Sequence, residues 1–103
     1  MNIVEKYGGT SVGTIEQIQA IALHAKHMKE QGHNLVIVAS AMGKTTNKLI
    51  ELAHSVTSNP NKRELDSLLS TGEQQTITLL AIAMNSIGLD TIKLKGYGFQ
   101  IEM

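Results

Sequence analysis

The sequence predicts an α/β fold with a mainly parallel sheet. Short apolar runs typical of strands alternate with longer segments in which apolar residues recur at three- and four-residue spacings, as on one face of a helix. The resulting element order is β-α-β-α-α-α-β. Strands joined through helices pair in parallel by right-handed crossovers. The length of 103 residues suffices for one small domain but not for two.

The first strand and the first helix flank a glycine-rich turn. Residues 2–6 predict a short strand that ends at the glycines 8–9. A helix follows from Thr14, which has capping-box spacing with Gln17, and Gly32 is a natural stop. The apolar face of this helix comprises Ile15, Ile18, Ile21, Ala22, Ala25 and Met28.

The second strand covers residues 35–39. This continuous apolar run is typical of a parallel strand with helices on both faces. A loop at 40–46 leads into a second helix, and the polar stretch 57–62, which contains the only proline, predicts a surface connection. The apolar stripe of the second helix comprises Leu49, Leu52, Ala53 and Val56.

Two further helices and a strand complete the predicted order. Residues 65–69 indicate a short helix that leads into 70–73, and Glu73 opens a longer helix that stops at Gly88. A third strand follows at 91–95. Three strands are fewer than the usual sheet of about five or six, and the last eight residues leave a strand without reaching another helix. We therefore expect an incomplete domain.

Composition excludes several classes of function. Lys plus Arg and Asp plus Glu both number 9 and aromatic residues make up 3%, which disfavours nucleic-acid binding. The chain has no apolar run long enough for a membrane helix and no visible signal peptide. It also has no cysteine, which removes disulfides and cysteine-based zinc sites. A cytoplasmic protein that binds small molecules is expected.

One interpretation of the glycine-rich turn is a hydrolase nucleophile. GTSVG at 9–13 fits G-x-S-x-G, with Ser11 as the nucleophile after a strand and before a helix. In that fold several strands precede the nucleophile, but only ten residues precede Ser11. The catalytic acid should then be followed by a histidine, yet the last histidine, His54, precedes both Asp66 and Asp90. The order of residues disfavours a hydrolase.

Two nucleotide-binding motifs match only in part. The glycines at 8–9 and 13 are wrongly spaced for the dinucleotide fingerprint G-x-G-x-x-G. Residues 43–45 end like a Walker A loop, but that motif would need glycine where Val38 stands. A P-loop-like NTPase that uses Lys44 remains an alternative.

The strand ends favour phosphate binding of another kind. Lys6 closes the first strand, the turn 8–11 follows it, and the loop 40–46 follows the second strand. Ligands of open parallel sheets bind outside the carboxyl ends of the strands. Glycines let the backbone approach phosphate oxygens and lysine adds a positive charge. The plainer alternative is a tight turn beside a solvated lysine.

The histidines and one acid have plain interpretations. His24 and His27 lie three residues apart on a helix, but no acid on that face has ligand spacing, so a solvated helix face is favoured and no metal site is predicted. Glu73 is interpreted as a carboxylate at a helix start, where the helix dipole stabilises it.

Three segments together resemble a known family. KYGGTSV at 6–12, VIVASAMGKTT at 36–46 and LLSTGEQ at 68–74 are similar to the three N-terminal motifs of the aspartokinases, in the amino acid kinase superfamily. The similarity runs from residue 2 to about residue 96, and Tyr7 stands where the family usually has phenylalanine. The resemblance implies a three-layer α/β/α sandwich. Residues 1–103 would be the N-terminal part of its kinase domain, with no regulatory ACT domain present.

The resemblance also implies an activity. Aspartokinases transfer the γ-phosphoryl group of ATP to the side-chain carboxylate of L-aspartate and give 4-phospho-L-aspartate, the entry step to lysine, threonine, methionine and diaminopimelate synthesis. By this resemblance Lys6 is the catalytic residue. It would contact the ATP phosphates together with the backbone of Tyr7, Gly8 and Gly9. Mg²⁺ would bridge the phosphates.

The same resemblance assigns residues to the aspartate. Thr46 and Glu73 would hold the substrate, with Glu73 paired to its ammonium group, and Ser40 and Ser11 would assist. The family's catalytic domain is more than twice as long as this chain. We therefore expect a truncated kinase that is inactive alone and is completed by the remainder of the enzyme or by a homo-oligomer. The alternative from another class is a non-catalytic aspartate- or phosphate-binding or assembly module.

Overall fold

The computed structural model describes residues 1–96 and 98–102, and it describes the side chains of residues 1–91. Four strands and three helices lie in this part of the chain. They are β1 (Asn2–Tyr7), α1 (Ile15–Glu30), β2 (Asn34–Ala39), α2 (Gly43–Val56), α3 (Lys62–Ser86), β3 (Ile92–Gly96) and β4 (Gly98–Glu102).

The sheet has the strand order β1-β2-β4-β3. β1 and β2 pair in parallel, as the crossover through α1 predicts, but β4 pairs antiparallel with both β2 and β3. The predicted third strand is confirmed as β3, and the residues expected to trail beyond it form β4 instead. A mainly parallel sheet is therefore wrong for the described strands, because β4 runs antiparallel to both of its neighbours. Tyr97 and Met103 lie outside the described residues.

α3 is one continuous helix where the sequence predicted two. Ser70 and Thr71 donate their hydroxyls to the backbone carbonyls of Ser67 and Leu68, both at 2.7 Å, so these residues are satisfied inside a helix. Gly72 is buried in the interior of the helix and does not end it. The observed order is consequently β-α-β-α-α-β-β.

α1 has well-defined ends. The Thr14 hydroxyl accepts the backbone N–H of Gln17 at 3.2 Å, and the Gln17 side chain accepts the N–H of Thr14 at 3.1 Å, which confirms the capping box. At the other end Gly32 adopts φ +87°, and the N–H groups of Gly32 and His33 return to the carbonyls of the last turn. The predicted stop is a Schellman motif, whose left-handed residue favours glycine.

The core lies between one face of the sheet and the helices. In β2 the buried residues Leu35, Ile37 and Ala39 alternate with half-buried ones, and both α1 and α3 contact this strand. Val36 and Val38, on the other face of this strand, are half-buried. The core comprises Val12, Ile18, Ile21, Ala22, Ala25, Leu35, Ile37, Ala39, Ile77, Leu80, Ala81, Met84 and Leu89.

The opposite face of the sheet is more open. Val4 of β1 is 64% exposed and pairs with the half-buried Val36 of β2. The second helical layer of a three-layer sandwich is not among the described elements and stays a prediction.

α2 contributes less to the core than its apolar stripe predicted. Leu49 and Ala53 are half-buried, but Leu52 is 58% and Val56 is 83% exposed. α2 packs on α3 through the half-buried side of this stripe. As far as the chain is described, its helices are too short or too polar to cross a membrane.

The capping box yields a stability prediction. Thr14→Ala removes the acceptor of the Gln17 N–H, so we expect the free energy of unfolding to fall by about 1 kcal/mol. Urea unfolding of the 103-residue chain measures the change. Ser58→Ala, in the exposed connection between α2 and α3, is the control and should leave stability nearly unchanged. Equal losses in both variants would contradict the capping role.

Candidate active site

The carboxyl ends of β1 and β2 meet at one edge of the sheet. Tyr7 pairs in register with Ala39, and the Ser40 N–H donates to the Tyr7 carbonyl at 3.0 Å. The turn after β1 and the loop after β2 therefore begin side by side, as the parallel pairing predicts.

The turn after β1 is fixed at several points. The Ser11 N–H donates to the Gly8 carbonyl at 3.0 Å, and the Gln17 side-chain amide donates to the Thr10 carbonyl at 3.0 Å. Val12 is fully buried and anchors the turn in the core. The residues between these anchors are held in place while Gly8, Thr10 and Ser11 stay exposed.

Gly9 lies against the loop that follows β2. A Cβ atom at this position would lie 2.9 Å from the carbonyl oxygen of Ala41. Real Cβ atoms essentially never come so close to backbone, so any larger residue would push the turn and the loop apart. Glycine is required at this position by close approach.

Gly72 of α3 also lies close to Ala41, as Gly9 does. A Cβ atom there would lie 2.9 Å from the Ala41 Cβ and 3.3 Å from Cγ2 of Thr45. Glycine in a helix interior weakens the helix by about 0.5–1 kcal/mol relative to alanine. The predicted loop 40–46 is shorter in the structure, because α2 already begins at Gly43. The packing of α3 against Ala41 and the first turns of α2 is thus a close contact that a larger residue at position 72 would disturb.

The three segments that carry the motifs consequently converge. Gly9, Ala41 and Gly72 make what we call the Ala41 contact, since Ala41 touches one glycine through its carbonyl and the other through its methyl. Thr46 and Glu73 directly follow Thr45 and Gly72, and both are half-buried beside this contact.

Glu73 does not open a helix. It lies in the interior of the continuous α3, so the N-terminal dipole argument for its carboxylate is wrong. It directly follows Gly72, the residue through which α3 packs against Ala41.

Lys6, Ser11 and Ser40 occupy exposed positions around the strand ends. Lys6 pairs with Val38 of β2 and lies on the open face of the sheet, whereas the neighbouring Tyr7 lies on the helix-facing side. Ser40 and Ser11 are exposed on the loop and the turn. The carboxyl-end edge of the sheet is thus surrounded by a lysine, backbone N–H groups and hydroxyls. Groups of these kinds bind anions.

A hydrogen-bonded network ties this edge to α1. The Tyr7 hydroxyl donates to Oε1 of Glu5 at 3.0 Å, and Nε2 of His24 lies 2.9 Å from Oε2 of the same carboxylate. Burial, followed by the hydrogen bond to Glu5 and its negative charge, raises the pKa of Tyr7 to about 12. His24 is therefore engaged by β1 rather than being only a solvated helix residue.

The described histidines and acids do not form a metal site around this network. His27 contacts the Gln31 side chain at 3.2 Å. Among residues with described side chains, no group of three or more histidines and acids is arranged to hold a metal ion.

Sequence patterns missed two features of the site. Ala41 lies inside a recognised motif, but nothing in its spacing shows that it touches both other motifs. Glu5 and His24 are 19 residues apart in different elements, so their pairing is visible only in the fold. The one local signal was Tyr7, a polar group beside the turn with an acid two positions earlier.

Comparisons with known proteins agree on one family. Residues 1–101 match the sequence model of the amino acid kinase family. Aspartokinase 2 of Bacillus subtilis is 50% identical over 95 residues, and an aspartokinase of Thermus thermophilus is 48% identical over 87 residues. The structure of aspartate kinase from Synechocystis superposes with a TM-score of 0.88 at 51% identity over 93% of this chain. The resemblance inferred from the three motifs is confirmed.

The shared region is a small part of each of these proteins. The match with the Bacillus subtilis protein covers 92% of this chain but only 23% of that protein. For Thermus thermophilus the share of the relative is 22%, and for the Synechocystis structure it is 16%.

The raised pKa of Tyr7 predicts a pH effect on stability. An unfolded tyrosine loses its proton near pH 10.0, whereas folded Tyr7 keeps it until about pH 12. Its contribution is therefore fully present below about pH 10 and is lost as the pH rises toward 12.

Alkaline titration of tyrosine absorbance tests this effect. The chain has two tyrosines, and Tyr7→Phe should remove a late step near pH 12 together with the associated fall in stability. Glu5→Gln keeps the ring but removes the charge, so it should lower the pKa of Tyr7. A late step that persists in Tyr7→Phe would contradict the assignment.

Proposed function

The chain belongs to the amino acid kinase family, and we propose that it forms the N-terminal part of an aspartate kinase domain. The reaction proposed is transfer of the γ-phosphoryl group of ATP to the side-chain carboxylate of L-aspartate. The observation that carries this proposal is the convergence of the three motif segments at the Ala41 contact. The segments that meet there carry a glycine turn after β1, which ends next to the exposed Lys6, and the half-buried Glu73 of α3.

The proposed phosphoryl transfer needs no general base. The carboxylate of aspartate has an unperturbed pKa of about 3.9, so it is already a nucleophile at neutral pH. The obstacles are charge repulsion between this carboxylate and the triphosphate, and the need for an in-line approach. Positioning and positive electrostatic potential are therefore what the protein must supply.

We assign the phosphate side of the reaction to the end of β1. Lys6 would neutralise charge on the transferred group as the catalytic residue, while the backbone of Tyr7, Gly8 and Gly9 would contact the ATP phosphates. Support comes from the fixed turn, whose glycines leave the backbone accessible, and from the exposure of Lys6. Mg²⁺ would arrive with ATP and offset further phosphate charge.

We assign the aspartate side to α2 and α3. Thr46 in the first turn of α2 and Glu73 in α3 would hold the substrate, with the Glu73 carboxylate paired to the ammonium group. Both are half-buried, which strengthens such a pair relative to one in open water. Ser40 and Ser11, exposed at the same edge, would supply further hydroxyl contacts.

The remaining parts of the activity belong to sequence beyond this segment. The relatives are more than four times as long as the matched region, since that region is 23% of the Bacillus subtilis protein. We propose that the additional sequence supplies the nucleotide-base site and a helical layer over the open sheet face around Val4, which would complete a three-layer sandwich. A cytoplasmic location, homo-oligomer formation and a place in lysine, threonine and methionine synthesis are part of the same proposal.

A chimera tests the proposal on a full-length enzyme. Residues of this chain replace the matched 95-residue segment of Bacillus subtilis Aspartokinase 2. Aspartyl phosphate formed from ATP and aspartate is trapped with hydroxylamine. The proposal predicts activity in the chimera and none in the 103-residue chain alone. A folded chimera that binds aspartate without turnover would favour a binding module, and one that does neither would contradict the proposal.

Two lysine variants of the chimera separate kinase from P-loop chemistry. Lys6→Ala should lower kcat by on the order of a hundredfold or more, because it removes a charge that stabilises the transferring group. Lys44→Ala, at an exposed residue in the first turn of α2, is the matched control and should stay within a few-fold. Loss of ATP binding in Lys44→Ala with normal binding in Lys6→Ala would favour the P-loop alternative instead.

A further inference from the structure

Ala41 lies between two glycines that approach it from different elements. It is 7% exposed, and each glycine comes so close that an added Cβ would stand 2.9 Å from an atom of Ala41. Ala41 therefore limits the approach of the turn after β1 through its backbone and the approach of α3 through its methyl group.

The approach of α3 is not explained by helix formation. Alanine at position 72 would stabilise the helical conformation of α3 more than glycine does. The space around Gly72 is filled by Ala41, by Thr45 and by Leu49, whose Cδ1 would lie 3.4 Å from an added Cβ. At Gly43, by contrast, an added Cβ would meet nothing within 4 Å. The steric constraint therefore applies to Gly72 and does not extend to Gly43.

We propose that Ala41 and Gly72 are positioning residues for the amino acid substrate. They act through their neighbours, because the closeness of α3 to the loop fixes where Glu73 and Thr46 stand relative to each other and to the turn at Gly9. The inference rests on the proposed function for the identity of the substrate. The steric coupling of Ala41 with Gly72 is a separate claim that needs no substrate to test.

The geometry predicts a selective defect. Gly72→Ala forces α3 away from Ala41 and displaces Glu73, while the contact of Gly9 with the Ala41 carbonyl is untouched. A misplacement of about 1 Å can cost roughly a hundredfold in an enzyme, so a shift of a few tenths of an ångström predicts about a tenfold rise in the KM for aspartate. The KM for ATP should change much less.

Transfer of the methyl group between the two positions is the decisive variant. Ala41→Gly in the Gly72→Ala background removes the atom that the methyl group introduced on α3 would meet at 2.9 Å. The double variant should recover most of the thermal stability lost in Gly72→Ala and should lower the aspartate KM toward that of the parent. Gly43→Ala adds a methyl in open space and controls for the substitution itself.

The experiment uses two proteins. Thermal melts of the 103-residue variants measure steric coupling without substrate, and steady-state kinetics of the chimera measure both KM values. Recovery in both readouts supports the proposal. Additive stability losses in the melts would overturn the steric coupling, whether or not the chimera is active.

Two further results are decisive in the chimera. A Gly72→Ala chimera with reduced stability but an unchanged aspartate KM would overturn the positioning role and leave only packing. A parent chimera with no aspartate turnover or binding would overturn the proposed function, and the substrate-positioning claim with it. Failure of the proposed function is therefore distinguished from failure of the inference, because only the former affects the parent.

Discussion

The close packing of Gly9 and Gly72 on Ala41 is the constraint on which the rest of the site depends. Parallel pairing of β1 and β2 brings two loops to the same edge of the sheet, but it says nothing about a helix that follows later in the chain. The contact at Gly72 brings α3 against Ala41 at that edge. This contact brings the third motif segment next to the loop that follows β2.

This constraint opposes local preference. The interior of α3 carries a buried glycine, although glycine is among the weakest helix formers. Elsewhere the chain follows local rules closely, as the capped start of α1 and its glycine stop show. A local rule broken at a point where three motifs meet is typical of a functional site, where geometry is retained at a cost in stability.

The hydrogen-bonded network around Glu5 also holds the end of β1 in place, through contacts with α1. One carboxylate accepts the Tyr7 hydroxyl and contacts His24, so the end of β1 is held against α1. Tyr7 is the residue that differs from the phenylalanine usual at this position in the family it resembles. Its hydroxyl adds a polar link, and the ring still packs against the core.

How much the sequence could predict follows from the range of the interactions. β1, β2, the capping box and the stop of α1 were predictable because they depend on neighbouring residues. The break before Glu73 was wrong because residues 70–73 were interpreted as a connection between two helices, whereas Gly72 lies inside one helix and packs against the distant Ala41. β4 was missed because its pairing with β2 joins segments far apart in the chain.

The candidate site likewise has features that the sequence predicts and features that depend on long-range contacts. The proximity of the turn after β1 and the loop after β2 was predictable from parallel strands alone, since the carboxyl ends of such strands share an edge. The position of Glu73 relative to them was not, because it depends on a close contact between a helix and a loop that are distant in sequence. The motif resemblance indicated that the three segments share a function, but no spacing rule could show that they meet in space.

The most direct measurement is the nuclear Overhauser spectrum of the 103-residue chain, labelled at the Ala41 methyl. The account predicts strong cross-peaks from this methyl to the α protons of Gly72 and to the Thr45 methyl. A folded chain in which the Ala41 methyl shows cross-peaks to its sequence neighbours but none to Gly72 would contradict the account, because the motifs would then not converge.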